Sequence, residues 1–114
     1  MTNFVRGDVF FMNLEGNAHV QGGWRPYVII QNNLGNKYSQ TTIVAPMTSR
    51  VKRLDMKTHV ALYNGRCANH HSVVLLEQIR VVNVDLDNWR WVERLSNEDM
   101  QRIDKAIKIS LGVE

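Results

Sequence analysis

The stretch Ser96-Asn97-Glu98-Asp99-Met100 marks where this chain changes its period, and that change decides the fold class. Ser96 followed three residues later by Asp99 is a capping box of the S-x-x-D kind, with Ser96 at the N-cap. Leu95 and Met100 occupy the two positions of a hydrophobic staple. Met100, Ile103, Ala106, Ile107 and Leu111 then recur at helical spacing, so the pattern predicts a helix over Asn97–Leu111. Upstream, the apolar residues follow short runs bounded by turn residues. Residues 8–14, 26–31, 41–47, 58–62, 72–76 and 78–82 read as strands. Residues 15–23 read as a loop, long for a hairpin, and such loops are often functional. Asn32-Asn33-Leu34-Gly35-Asn36 is rich in turn formers and compatible with one helical turn. Pro46, inside the third run, implies an edge or a strand end. Trp89 and Trp91 are expected to pack on one sheet face. The sum is a mainly β protein with a C-terminal helix, a small β-barrel or half-barrel.

The chain has 114 residues, which points to one domain over 1–114 with a modest core of its own. Hydrophobic residues make up 44% and charged residues 22%, the balance of a folded soluble protein. No internal repeat or low-complexity run is present. The first residues lack the pattern of a secretory signal, and no apolar run reaches the roughly 20 residues that span a bilayer. A membrane partner is therefore not expected. The single cysteine, Cys67, has no internal disulfide partner, so a reducing cytoplasm is the expected location. The formal net charge of +3 suits a polyanion without requiring one. Its distribution says more: Arg50, Lys52, Arg53 and Lys57 fall in one segment opposed only by Asp55. Such a run is either a solvated loop or a salt-dependent lure for nucleic acid.

Gly22-Gly23-Trp24-Arg25-Pro26 places a permanently charged side chain behind two glycines and just before the run Tyr27-Val28-Ile29-Ile30. Paired glycines permit positive φ and let a ligand approach the backbone. Pro26 lacks an N–H and suits the first residue of a strand. The expectation is a mobile loop, a strand start and an anion-binding arginine at their junction.

Four blocks of the chain resemble the MazF/PemK family, the ribonuclease toxins of bacterial type II toxin–antitoxin pairs. They are Arg6-Gly7-Asp8-Val9-Phe10; Gln21-Gly22-Gly23-Trp24-Arg25-Pro26 with Val28-Ile29-Ile30-Gln31-Asn32; Thr42-Ile43-Val44-Ala45-Pro46-Met47-Thr48-Ser49; and Ser72-Val73-Val74-Leu75-Leu76-Glu77-Gln78-Ile79-Arg80. Together with Asp104–Leu111 they cover nearly the whole chain in order. The resemblance implies an SH3-like small β-barrel of the CcdB/PemK plasmid-toxin type with a C-terminal helix, built as a homodimer. It implies sequence-specific cleavage of single-stranded mRNA in the bacterial cytoplasm, without a metal or other cofactor. It also implies neutralisation by a MazE-like antitoxin whose acidic, disordered tail covers the RNA groove.

Metal-free RNA cleavage turns a ribose 2′-OH on the adjacent phosphorus. It needs a base, an acid for the departing 5′-oxygen, and donors for the charge on the phosphoryl oxygens. Arg25 matches the family's catalytic arginine; its high pKa favours electrostatic stabilisation over proton transfer. Thr48 matches a catalytic hydroxyl that can donate to a phosphoryl oxygen, although a threonine at a strand end can equally cap a local turn. His19, in the loop before Arg25, matches the histidine of the PemK/Kid branch and titrates in the useful range, or it is simply solvated. Glu77 matches an acidic position near the cleavage site; it could orient Arg25 or His19, accept from an RNA base, or belong to a structural ion pair. Gln21, Gly22, Trp24, Ser49, Arg50, Lys52, Arg53 and Gln78 are the expected RNA-binding residues, Gln78 by reading a base edge. Trp24 could stack on a base or fill the dimer interface.

Where the family commonly has an aspartate before the fourth block, this chain has His71, preceded by His70. Cys67, His70 and His71 lack the paired spacing of a zinc site, so no metal site is expected. Two other readings compete. A gyrase-inhibiting toxin of the CcdB kind shares the barrel, but its C-terminal aromatic end is missing from Ser110-Leu111-Gly112-Val113-Glu114. A catalytically silent RNA-binding barrel would use the basic segment equally well.

Overall fold

The computed structural model describes residues 4–50, 55–63 and 72–114. Lys52, Arg53, Cys67, His70 and His71 lie outside the described residues. Among the described residues there are seven strands and two α-helices: β1 (Asp8–Leu14), β2 (Gly23–Ile29), α1 (Asn33–Tyr38), β3 (Thr41–Thr48), β4 (His59–Ala61), β5 (Val73–Leu75), β6 (Arg80–Asn83), β7 (Arg90–Arg94) and α2 (Asn97–Leu111). A single 3-10 turn, Leu76–Gln78, joins β5 to β6. All strand pairs are antiparallel, in the order β4-β5-β3-β2-β1-β7, with β6 also on β3. The sheet coils like a barrel but runs open between β4 and β7.

Both faces of the central strands are buried, which is why they read as nearly continuous apolar runs. One face carries Val9, Val28, Ala45, Met47 and Val74 against Leu95, Ile103 and Ala106 at the helix. The other carries Phe10, Met12, Tyr27, Ile29 and Val44 against Phe4, Val82 and Trp89. The α2 bounds are those the period predicts. Ser96 accepts from the Asp99 N–H, and Leu95 and Met100 pack in the same cluster, as a staple requires. Leu111, at the last turn, is exposed. Gly112 closes the helix in the left-handed region at φ 69°.

Several expectations change. The second strand runs from Gly23 to Ile29, so Pro26 is inside it, paired with Phe11 of β1. Pro46 is inside β3, paired with Tyr27, and β3 is a central strand. The short turn after β2 extends into the helix α1, capped by Asn32. Trp89 and Trp91 do not share a face: Trp89 is in the core against Phe4 and Phe10, whereas Trp91 is half exposed on β7. The strand β7 was not foreseen. Its pairing with β1 slips between Val9 and Phe10, and Val92, at the bulge, packs against the core.

The hydrogen bonds explain both prolines. Ile30 N–H donates to Ile43 O, so antiparallel alternation makes Val28–Ala45 the next bonded pair and Tyr27–Pro46 a non-bonded one. Pro46 therefore lacks an N–H only on the side away from β2. There β6 ends its pairing at Val44 and β5 begins at Met47, so no ladder bond is lost. The next bonded pair of β2 and β3 would be Pro26 with Met47. Pro26 has no N–H to give, and the pairing stops at Tyr27–Pro46.

At the head of β1, Asp8 is buried at 1% exposure and satisfied by three donors. These are Val5 N–H at 2.8 Å, Arg94 Nε at 2.8 Å and Trp91 Nε1 at 3.2 Å. The hydrogen bond and charge of Asp8 raise the Arg94 pKa above its already high value. Asp8→Asn keeps the shape but offers one carbonyl oxygen to donors that now meet two. Loss of about 2–3 kcal/mol of stability is expected in urea unfolding. An unchanged midpoint would show that the carboxylate does not bind β7 to β1.

Candidate functional site

The site begins where the β2–β3 ladder stops. Extending the register of Tyr27–Pro46 by two residues would set Arg25 opposite Thr48. Instead β3 turns to pair with β5 through Met47–Val74 and Thr48–Val73, while β2 continues on β1 alone through Arg25–Met12 and Trp24–Asn13. A cavity of about 450 Å³ opens in the split, lined by Phe11, Trp24, Arg25, Met47, Thr48 and Arg50 among others. Ser49 lies in the same wall. Thr48 is buried, and its Oγ1 accepts the Arg50 N–H at 3.2 Å. This is the local turn bond that a threonine commonly makes, and the hydroxyl still carries a proton to donate.

Arg25 is half-buried, and its Nε donates to Gly22 O at 2.7 Å. That bond fixes the plane of the guanidinium. Among the described residues its two terminal nitrogens keep their protons for a ligand. A second cavity, about 540 Å³, lies on the loop side and shares Arg25 and Arg50 with the first. His19, Gln21, Gly22 and Gln78 line it. The two cavities meet at two arginines, a combination suited to a polyanion.

The loop over residues 15–22 is tied rather than loose. Asn17 Oδ1 accepts from the N–H groups of His19 and Val20, and Asn17 N–H donates to Val20 O. Gln21 N–H donates to Gln78 Oε1 at 2.7 Å, and Arg80 Nη1 donates to Glu15 O at 2.5 Å. The glycines also act differently from expectation. Gly23 does adopt a positive φ of 78°. Gly22 has a packing reason of its own, because a Cβ there would collide with the backbone of Gly16.

Other expected residues are placed as follows. His19 is exposed in the loop-side cavity. Trp24 is half exposed and stacks on Phe11, with ring centroids 5.9 Å apart and planes within 16°. Trp24 and Phe11 are diagonal cross-strand neighbours on one face, so this contact follows from the β1–β2 register. Glu77 lines neither cavity; its Oε2 meets His59 Nε2 at 2.8 Å, the ion-pair alternative. Sequence reasoning overlooked His59, Phe11, Gly16 and Arg80. Arg80 was visible only as part of a block, and the others required the register or the loop closure.

Tyr27 lies beneath Arg25 on the same strand face. Its hydroxyl is buried, without a hydrogen-bond partner among the described residues. Burial raises its pKa above 10.0, against the opposing charges of Arg25 and Arg80.

This is a coiled antiparallel sheet with a C-terminal helix, and its split strand pair brings two arginines and a hydroxyl to one cavity. The family described as "PemK-like, MazF-like toxin of type II toxin-antitoxin system" matches residues 5–111, and the chain belongs to that family. It is 44% identical over 113 residues to Endoribonuclease MazF of Staphylococcus saprophyticus, covering 95% of this chain and 91% of that protein. Its fold is similar to MazF from Deinococcus radiodurans, with a TM-score of 0.78, 21% identity and 96% of each chain covered. It is also similar to a mycobacterial endoribonuclease solved with its cognate antitoxin, with a TM-score of 0.77, 21% identity and 96% of each chain covered.

Tyr27→Phe is expected to leave stability unchanged or raise it by up to about 1 kcal/mol, because the lost hydroxyl has no partner among the described residues. With a raised folded pKa, the contribution of the neutral Tyr27 hydroxyl is fully present below pH 10.0 and is lost as the pH rises from there through the raised folded value, since the unfolded chain ionises first. Chemical unfolding from pH 8 to 11 should show this loss in the wild type and a smaller one in Tyr27→Phe. Marked destabilisation by the variant at pH 7 would reveal a partner for the hydroxyl.

Proposed function

We propose that this chain is a sequence-specific endoribonuclease toxin that cleaves single-stranded mRNA by attack of a ribose 2′-OH on the adjacent phosphorus. The observation that carries the reading is the meeting of Arg25 and Thr48 where the β2–β3 ladder ends. In the proposed step the 2′-oxygen bonds to phosphorus, its proton passes to a base, and the bond to the 5′-oxygen breaks as that oxygen gains a proton. Two negative oxygens build charge on the way. The terminal nitrogens of Arg25 and the Thr48 hydroxyl would stabilise them, with Arg50 beside them. The internal nucleophile means that no metal is required to generate one. His19, on the loop-side cavity wall, would be the base, since an imidazole nitrogen can accept a proton. Glu77 would act only through His59 or through a rearrangement, given its present partner.

Gln21, Gly22, Trp24, Ser49 and Arg50 line the two cavities and would contact the RNA, with Lys52 and Arg53 extending the basic path. The family membership supports a MazE-like antitoxin with an acidic tail as the partner, a homodimer as the working unit and the bacterial cytoplasm as the place of action. No described helix is long and apolar enough to cross a membrane. We take 1–114 as one toxin domain.

The test is cleavage of a long RNA in EDTA with mapping of the ends. Discrete cuts are expected, and Arg25→Ala should slow them by about 10²–10³-fold, the effect of removing one oxyanion donor. Equal cutting by Arg25→Ala would remove the site from the reading. A single 2′-deoxy substitution at a cut should abolish it; continued cutting there would exclude attack by the 2′-OH.

A further inference from the structure

Four contacts tie the 15–22 loop and lead to Arg25, and they leave the terminal guanidinium nitrogens of Arg25 unused. Arg80 Nη1 holds the start of the loop at Glu15 O, and Gln78 Oε1 holds its end at the Gln21 N–H. Gly16 and Gly22 close the loop neck backbone to backbone; a Cβ on Gly16 would lie 2.5 Å from the Gly22 Cα and N. Directly after the Gln21 bond, Gly22 O receives Arg25 Nε. The carbonyl that orients the arginine is therefore fixed on one side by a glycine contact and on the other by a glutamine oxygen.

We propose that Gln78, Arg80 and the Gly16–Gly22 contact form a clasp that positions Arg25, with Gln78 serving as a positioning residue through its carbonyl oxygen. An arginine side chain has several rotatable bonds, and holding one orientation costs conformational entropy. A bond from Nε leaves the planar fork of terminal nitrogens free while fixing the direction in which it points. The clasp supplies that bond from backbone whose own position is set by β6 and the 3-10 turn. A displaced loop would leave Arg25 charged and present but unaligned, which affects turnover more than RNA binding. This inference rests on the proposed reading for its consequence in RNA cleavage, but not for the clasp itself.

Two measurements test it separately. In RNA-free protein labelled with 15N-arginine, the Arg25 Nε–H should exchange slowly with solvent. Gly16→Ala and Gln78→Leu should both abolish that protection, and Gln78→Glu, which keeps an acceptor for Gln21 N–H, should retain it. In cleavage assays Gly16→Ala should lower kcat by about ten- to a hundred-fold with KM within about two-fold. Thermal melts identify a variant that fails to fold, and Gln78→Leu then carries the test for Gly16→Ala. Fast exchange of Arg25 Nε–H in the wild type would overturn the clasp. So would full kcat in a Gly16→Ala variant whose Nε–H has lost protection. A wild type with a protected Nε–H that cuts no RNA would sink the ribonuclease reading and leave the clasp standing.

Discussion

The buried carboxylate of Asp8 and its two neighbours in sequence hold the molecule together. Arg6-Gly7-Asp8 forms the turn that leads into β1, with Asp8 its first strand residue, and it reaches four other elements. Arg6 Nε donates to Ile30 O at the end of β2, Arg6 N–H donates to Asn33 Oδ1 at the start of α1, and its guanidinium pairs with Asp104 of α2 at 2.5 Å. Gly7, at φ 95°, donates to Ile29 O and accepts from Leu95 N–H just before α2. Asp8 binds β7 through Arg94 and Trp91. A side chain at Gly7 would have to adopt a left-handed backbone that L-residues resist. A charge as deeply buried as Asp8 is tolerable because its oxygens accept from three donors. The turn thus joins the helix, both flanks of β1 and the start of α1 through backbone geometry and charge-assisted bonds, independently of the two apolar clusters.

From that anchor the β2–β3 pairing runs unbroken until Pro26. One missing N–H ends the β2–β3 ladder, and the strands part with β3 drawn towards β5 and β2 left on β1. The two residues that would have faced each other next, Arg25 and Thr48, border a cavity instead of a ladder. A sheet interior thereby provides a cleft without a long insertion. The Trp24–Phe11 stack closes one side of it, held by cross-strand geometry on a face that has run out of core.

Periodicity was sufficient for α2 because the cap, the staple and the apolar spacing agreed on the same boundaries. Strands with both faces buried were legible as apolar runs, but their register was not, since nothing in such a run marks which residue pairs with which. That is why Pro26 and Pro46 looked like strand ends. Each is placed where its missing donor has no partner or stops one ladder, and only the hydrogen-bond alternation reveals this. The strand β7 escaped notice because Arg90-Trp91-Val92-Glu93-Arg94 carries three charges and one bulged valine, so its alternation is broken where it matters. Arg25, Thr48, Arg50 and the loop residues could be nominated from the chain. The pairing of Glu77 with His59, and the dependence of Gly22 on Gly16, required knowing which backbone segments meet.

The same geometry limits the chemistry that Arg25 can perform on the proposed reading. Its Nε is already committed to Gly22 O, and its terminal nitrogens are donors without a lone pair to accept a proton. It would therefore serve the phosphorane-like charge and leave proton transfer to another group. His19 is on the loop whose end holds Arg25, so alignment of the electrostatic donor and placement of the candidate base depend on one short piece of backbone. Any ligand that displaced this loop would remove both at once, whether or not it covered the arginine. An acidic tail has reason to approach there, because Arg25 and Arg50 face both cavities while Glu77 is held away by His59. On that reading such a tail would compete for the loop and for the two cations at once.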